Sequence, residues 1–173
     1  MLYCTGAPKS GTHLLLKAVE LFGVEAHHSH MDFTKPWDAD DTHIQIIRNP
    51  RNTVISWVRF MKLPRNNETI IGSISYMLKR MEGHFGCIAH PQWYTVRFEE
   101  LLADPNVIEG IAKHIDLPLA EGHFQSLWGD TRTFTNDLTR WKDFWNDEVN
   151  AAWIDKGGIE IEEKMNYFNM YKE

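Results

Sequence analysis

Gly6-Ala7-Pro8-Lys9-Ser10-Gly11-Thr12-His13 follows a short run, Leu2 to Thr5, and leads straight into a helical apolar pattern. A strand, a glycine-bounded turn and a helix start make an anion cradle. The turn's N–H groups converge with the helix N-terminus, and the helix dipole favours negative charge there. Gly6 and Gly11 stand five apart, as in a Walker nucleotide loop, but Thr12 and His13 occupy the places of the Walker lysine and its following hydroxyl residue. The lysine lies inside the turn instead, at Lys9. A nucleoside triphosphatase would lack its γ-phosphate lysine here, so the cradle is expected to take a phosphate group of another sort.

Downstream, His43 to Ile47 is a β-branched run of the kind found in buried parallel strands, and it ends in Arg48-Asn49-Pro50-Arg51-Asn52-Thr53-Val54-Ile55-Ser56. Asn49 can cap a helix and Pro50 can be its first residue, with Val54, Val58 and Met61 on the inner face. Arg48 then stands at a strand's carboxyl end and Ser56 on the following helix. Lys9, Arg48 and Arg51 concentrate positive charge where the two motifs expect phosphates. Between the motifs, residues 24–30 read as a strand on which His28 and His30 share a face and His27 points the other way. Neutral imidazole is available near pH 7, so His30, nearest the strand's carboxyl end, is a candidate general base. A metal site at these histidines lacks a further ligand at fixed spacing and supporting carboxylates, and no metal is expected. Glu99 and Glu100 look like an acid–base pair, yet adjacent residues at a strand end point apart, and a solvated or capping role is expected.

The first motif resembles the 5′-phosphosulfate loop of sulfotransferases that use 3′-phosphoadenosine 5′-phosphosulfate (PAPS). Arg48, the Asn-Pro step and Ser56 eight positions on resemble that family's 3′-phosphate site. Two weaker matches follow in the family's order. Tyr94 to Phe98 with Glu99 and the Asp104-Pro105 step is similar to a strand ending in Tyr-Glu-Asp-Leu, whose aromatic packs near the adenine; Phe98 stands for the tyrosine. Arg140-Trp141-Lys142-Asp143-Phe144 resembles the Trp-Lys-Asn-x-Phe element that follows an Arg-Lys-Gly clamp on the 3′-phosphate. That triplet is absent, and Arg132 is the nearest candidate to replace it.

The resemblance implies that Pro8, Lys9, Ser10, Gly11, Thr12 and His13 surround the 5′-phosphosulfate, His13 replacing a second threonine. It implies Arg48, Ser56 and Arg132 at the 3′-phosphate and Phe98 at the adenine. Ser29-His30-Met31 is similar to the Thr-His-Leu part of the family's base element, with His28 where the family has a lysine. The implied catalytic groups are His30 as base, Lys9 on the bridging oxygen where charge grows, and His28 beside them. The product would be 3′,5′-diphosphoadenosine (PAP), the acceptor a small molecule or glycan. Residues 32–41 and 62–67, two polar loops expected to overhang the strand ends, would either recognise that acceptor or form a lid on the adenine. Two rivals remain. A small P-loop kinase needs a metal-holding carboxylate where Arg48 stands. A binding module that has lost catalysis is kept open by His13, His28, Phe98 and the missing triplet.

The elements that must position these groups alternate. Strands are expected at 2–5, 24–30, 43–48 and 93–98. Helical stripes run through Leu14, Ala18 and Leu21 to Gly23, from Ile70 to Phe85, and through Val107, Ile108, Ile111 and Ile115 after an Asp104 cap with Pro105 at the first position. Beyond about residue 119 the chain is Trp-rich, and short helices are expected. The expected fold is α/β, three-layered, a central parallel sheet flanked by helices, and the resemblance makes it the P-loop-NTPase-like sulfotransferase architecture. Ligands of such sheets bind outside the strands' carboxyl ends, where the motifs fall.

Bulk properties agree with one domain over 1–173. A chain of 173 residues buries roughly 70% of its unfolded surface. Hydrophobic content of 43% and charged content of 24% are those of a globular protein. The net charge of −6 argues against a nucleic-acid partner. Cys4 and Cys87 give no disulfide framework, which fits a reducing compartment. No run approaches 18 apolar residues and no signal segment precedes the first strand, so a cytoplasmic location without a membrane partner is expected. Oligomeric state is open.

Overall fold

The computed structural model describes residues 1–30, 38, 40–88, 90, 92–119 and 138–167. Four strands, β1 (Leu2–Thr5), β2 (His27–Ser29), β3 (Thr42–Ile47) and β4 (Trp93–Arg97), form one sheet in the order β2-β1-β3-β4. Every pairing is parallel. The chain leaves β1 for β2 on one side and then returns to place β3 on the other. The strand order therefore reverses at β1, and a crevice opens at the carboxyl ends of β1 and β3.

Between β1 and β2 lies α1 (Thr12–Glu20). Between β3 and β4 lie α2 (Pro50–Phe60), α3 (Asn67–Glu82) and α4 (Phe85–Ile88). After β4 come α5 (Phe98–Ala103) and α6 (Asn106–His114), then a 3-10 helix (Arg140–Phe144), α7 (Asp147–Asp155) and α8 (Gly158–Lys164). The α/β class, with a parallel sheet flanked by helices, is as expected.

Each face of the sheet carries its own core, because successive strand residues point to opposite sides. Cys4, Ile44, Ile46 and Val96 meet Leu14, Leu15, Ala18 and Val19 of α1 and Ile108 and Ile111 of α6. On the other face Ile47 meets Val54 and Val58 of α2, Ile70, Ile74 and Met77 of α3, and Val149, Trp153 and Ile161 from α7 and α8. The helices start where local chemistry predicts. Asn49 accepts the Asn52 N–H at 3.0 Å with Pro50 first in α2, and Asn66 and Asn146 cap α3 and α7 the same way.

Some boundaries differ from expectation. β2 is only three residues long, because residues 24–26 make no ladder with β1. β4 stops at Arg97, so Phe98 opens a helix rather than ending a strand. Met61 is 46% exposed rather than inward, since α2 ends at Phe60 and the chain turns away. Pro105 occupies the cap position of α6 rather than its first turn, and Asp104, expected as the cap, stands one residue before it and accepts the Asn106 N–H at 2.9 Å.

Candidate functional site

The turn after β1 is tightly wound. Ala7 accepts the Ser10 N–H at 3.1 Å across Pro8 and Lys9, and Lys9 has φ 70°. Proline followed by a positive φ is the pattern of a type II turn, with lysine where glycine normally sits. A lysine held there stores strain, which is common at functional sites. Gly11 has φ 108°, and a Cβ there would meet the Phe98 ring at 2.4 Å. A Cβ on Gly6 would lie 2.5 Å from Ser10 Oγ and 2.6 Å from the Ile46 carbonyl. Both glycines are demanded by close approach. α1 starts with no side-chain cap and no acidic residue in its first turn, so its N-terminal dipole faces the turn uncompensated.

Arg48 joins this turn to the second motif. Its Nη1 donates to the Lys9 carbonyl at 3.3 Å, and its guanidinium lies 4.4 Å over the Phe98 ring. Arg48 Nε and Ser10 Oγ are buried without a hydrogen-bond partner among the described residues. Ser10, Arg48, Thr53 and His84 line a small recess under the loop. Burial pushes the Arg48 guanidinium below its ordinary value, with Glu99 and Tyr167 pulling the other way. Burial, and then the charge of Arg48, lower the Lys9 ammonium as well. Two cations with open bonding capacity thus share one crevice.

The Asn-Pro step is held by a residue that sequence reasoning assigned to solvent or a cap. Glu99 accepts the Asn49 N–H at 3.0 Å through one oxygen and the Tyr167 hydroxyl at 2.6 Å through the other. It caps, but for a helix 50 positions away in sequence. Ser56 is one helical period from Asn52 and from Phe60 on α2. The Phe60 ring lies under the Lys9 ammonium at 4.2 Å, so this face of α2 is turned to the loop.

The histidines gather on the rim of the loop. His30 Nδ1 lies 2.9 Å from the Gly6 carbonyl. A carbonyl only accepts, so Nδ1 carries the proton and the neutral ring keeps its lone pair at Nε2, the form a general base needs. His28 Nε2 is 2.9 Å from Thr12 Oγ1. His28 stacks on His13 at 4.8 Å and meets His30 edge-on at 4.8 Å. Burial, then His30 and His13, lower the His28 value. If the Thr12 hydroxyl is to donate to an anion, His28 must carry its proton on Nε2 and donate to Thr12 in turn. His28 and His30 lie together, whereas His27 turns away to Tyr3.

Phe98 is 6% exposed and forms a floor beneath Gly11 and Arg48; its ring is covered by the loop. Arg51, grouped by sequence with the phosphate-facing cations, is used elsewhere. It donates to Glu162 at 2.6 Å and lies over Trp141 at 4.9 Å and Trp145 at 5.4 Å. Arg132 and most of the 32–41 loop fall outside the described residues. Pattern reading allowed Glu99 a capping role without finding its partner, and it missed Phe60. The Asn49 cap gave no hint of the first; the second had a local signal, its position four residues after Ser56.

Among the described residues, no group of three His, Cys, Asp or Glu side chains has the arrangement to hold a metal ion, and no helix is long and apolar enough to cross a membrane. No protein-family model matches the sequence, and no curated protein matches it. Among solved structures, mouse sulfotransferase SULT7A1 complexed with PAP is similar, with a TM-score of 0.73 and 12% identity. The match covers 98% of this chain and 84% of that one. This chain therefore has a sulfotransferase-like fold.

Proposed function

We propose that the chain is a PAPS-dependent sulfotransferase acting on a hydroxyl or amine of a small-molecule or carbohydrate acceptor. The observation that carries this reading is the junction at Arg48. A buried guanidinium, with Nε unpartnered among the described residues, bonds the carbonyl of a strained lysine in a phosphate-type turn. The residues fit a nucleotide with two separate anionic groups. Ser10, Gly11 and Thr12 with the start of α1 would hold the 5′ side, and Arg48 with Ser56 the 3′-phosphate. The similar mouse protein was solved with PAP, which supports the choice of nucleotide.

Bound PAPS would supply the sulfonate, which leaves the 5′-phosphate oxygen for the acceptor atom and releases PAP. Lys9 would face the 5′-phosphate oxygen on which negative charge grows as the sulfonate departs, and a fixed cation there would lower the barrier. The acceptor's proton goes to His30 Nε2, the ring being fixed in orientation by Gly6. His28 steadies Thr12 and lies edge-on to His30.

The test compares thermal shifts with PAP, ADP and MgATP. A ligand bound by the native state raises the midpoint by mass action. PAP is expected to give the largest rise, and equal shifts from PAP and ADP would remove the 3′-phosphate site. A larger shift from MgATP would favour a kinase. With an accepted substrate, His30→Ala should cost about 10² to 10⁴ in rate with PAP binding retained. A PAP shift without turnover on any acceptor would leave a binding module.

A further inference from the structure

The seven residues Arg59-Phe60-Met61-Lys62-Leu63-Pro64-Arg65 carry three cations, three large apolar side chains and no acid, in a protein whose net charge is −6. Phe60, Met61 and Leu63 are 60%, 46% and 41% exposed. Tyr76 of α3, 41% exposed, joins them through Trp57, whose ring is 5.1 Å from Tyr76 and 6.1 Å from Phe60. Four of the seven exposed large hydrophobics among the described residues thus share one surface. Arg80 extends its cationic edge, 5.2 Å over Tyr76. None of Arg59, Lys62 and Arg65 enters an ion pair among the described residues.

The turn is built to hold this display. The Leu63 N–H bonds the Val58 carbonyl at 3.1 Å and the Lys62 N–H bonds the Arg59 carbonyl at 3.0 Å, the paired bonds of a Schellman motif. Glycine normally takes the left-handed position of that motif, but Lys62 occupies it at φ 55°. A cation is kept where backbone energetics favour glycine.

We propose that this surface docks the protein on an anionic lipid bilayer. Apolar tips on a protruding turn can enter the headgroup boundary while neighbouring Lys and Arg heads reach the lipid phosphates. A protein partner would instead favour an apolar centre with charges moved to the rim. The acidic charge elsewhere matters little to the turn, since charges beyond roughly 8 Å are screened at physiological salt. A spanning helix is not needed for docking. The turn adjoins Lys9 through Phe60, so a docked molecule holds its anion loop close to the lipid surface.

The test is co-sedimentation of the full chain with vesicles of phosphatidylcholine and of an equimolar phosphatidylcholine–phosphatidylserine mixture. It needs no turnover and no nucleotide, so it stands or falls apart from the proposed activity. Binding is expected only with phosphatidylserine and should fall as salt rises. Lys62→Gln should weaken it about fivefold, the worth of one cation near such a surface. Lys62→Gly should weaken it equally without lowering the melting midpoint, because glycine suits the turn better. Ile154→Ser, at an exposed apolar site on α7, should bind as the parent does. Sedimentation that ignores phosphatidylserine, or equal losses from Lys62→Gln and Ile154→Ser, would overturn the proposal.

Discussion

Arg48 and Arg51 stand three residues apart at the start of α2, and their surroundings are opposite. Arg51 is spent. Its guanidinium meets Glu162, which is 1% exposed, through two nitrogens, adds Asn150 at 3.4 Å, and lies among three tryptophans. Arg48 has one long bond to a backbone carbonyl, an aromatic floor and a nitrogen left open among the described residues. The first arrangement ties α2 to α7 and α8. The second leaves a desolvated cation facing a crevice. Residue type and motif membership did not separate them; the count of satisfied donors does.

Removing the partner of the spent arginine should have the largest effect on stability. Glu162→Gln leaves a buried guanidinium without a counter-charge and is expected to cost about 3–5 kcal/mol, read from denaturant unfolding. A loss under about 1 kcal/mol would mean that the tryptophans alone hold Arg51. Arg48→Ala should do the reverse, leaving the midpoint nearly unchanged while weakening PAP by roughly tenfold to a hundredfold, as the loss of a charged hydrogen-bonding partner predicts. Calorimetric titration gives that number directly. If instead Arg48→Ala unfolds the protein and spares PAP, the two arginines have been assigned the wrong way round.

Asn49 serves both regions, since it caps α2 while Glu99 holds its N–H. Asn49→Ala should cost about 0.5–2 kcal/mol of stability and also weaken PAP, because Arg48 hangs from the same backbone. An effect on stability alone would uncouple the cap from the site. The smallest expected signal is in acid. The native value of His28 is lowered by burial and by its neighbours' charge, so the unfolded chain takes up a proton first. Stability should therefore fall as pH drops below about 6.5, and level off once the native ring also protonates. His28→Gln should lessen that slope in a series of melts across acid pH, the part due to His43, also lowered by burial, remaining.

What could be read in sequence was local. The glycine spacing, Asn49-Pro50 and the β-branched run before Arg48 are short-range signals, and they gave the turn, the cap and the parallel sheet. Distant partners could not be read. Glu162 lies 111 positions from Arg51, and Tyr167 lies 68 from Glu99, with no periodic pattern connecting them. The histidine strand was half legible. Alternation put His28 and His30 on one face, but only the fold brings His13 against His28 and fixes the His30 tautomer on Gly6.

The order β2-β1-β3-β4 with every pairing parallel also bears on how the chain is made. Of these four strands β1 is made before the others, and it sits between two of them. It can form no hairpin, so its ladders wait for His27–Ser29 and then for Thr42–Ile47. During synthesis both inner strands keep an open edge, β1 until β3 is made and β3 until Trp93–Arg97 follows. Non-local parallel pairing of this kind folds slowly and exposes strand edges to aggregation. Recovery of this protein from cells should therefore respond to slowed synthesis or added chaperone more than its final stability would suggest.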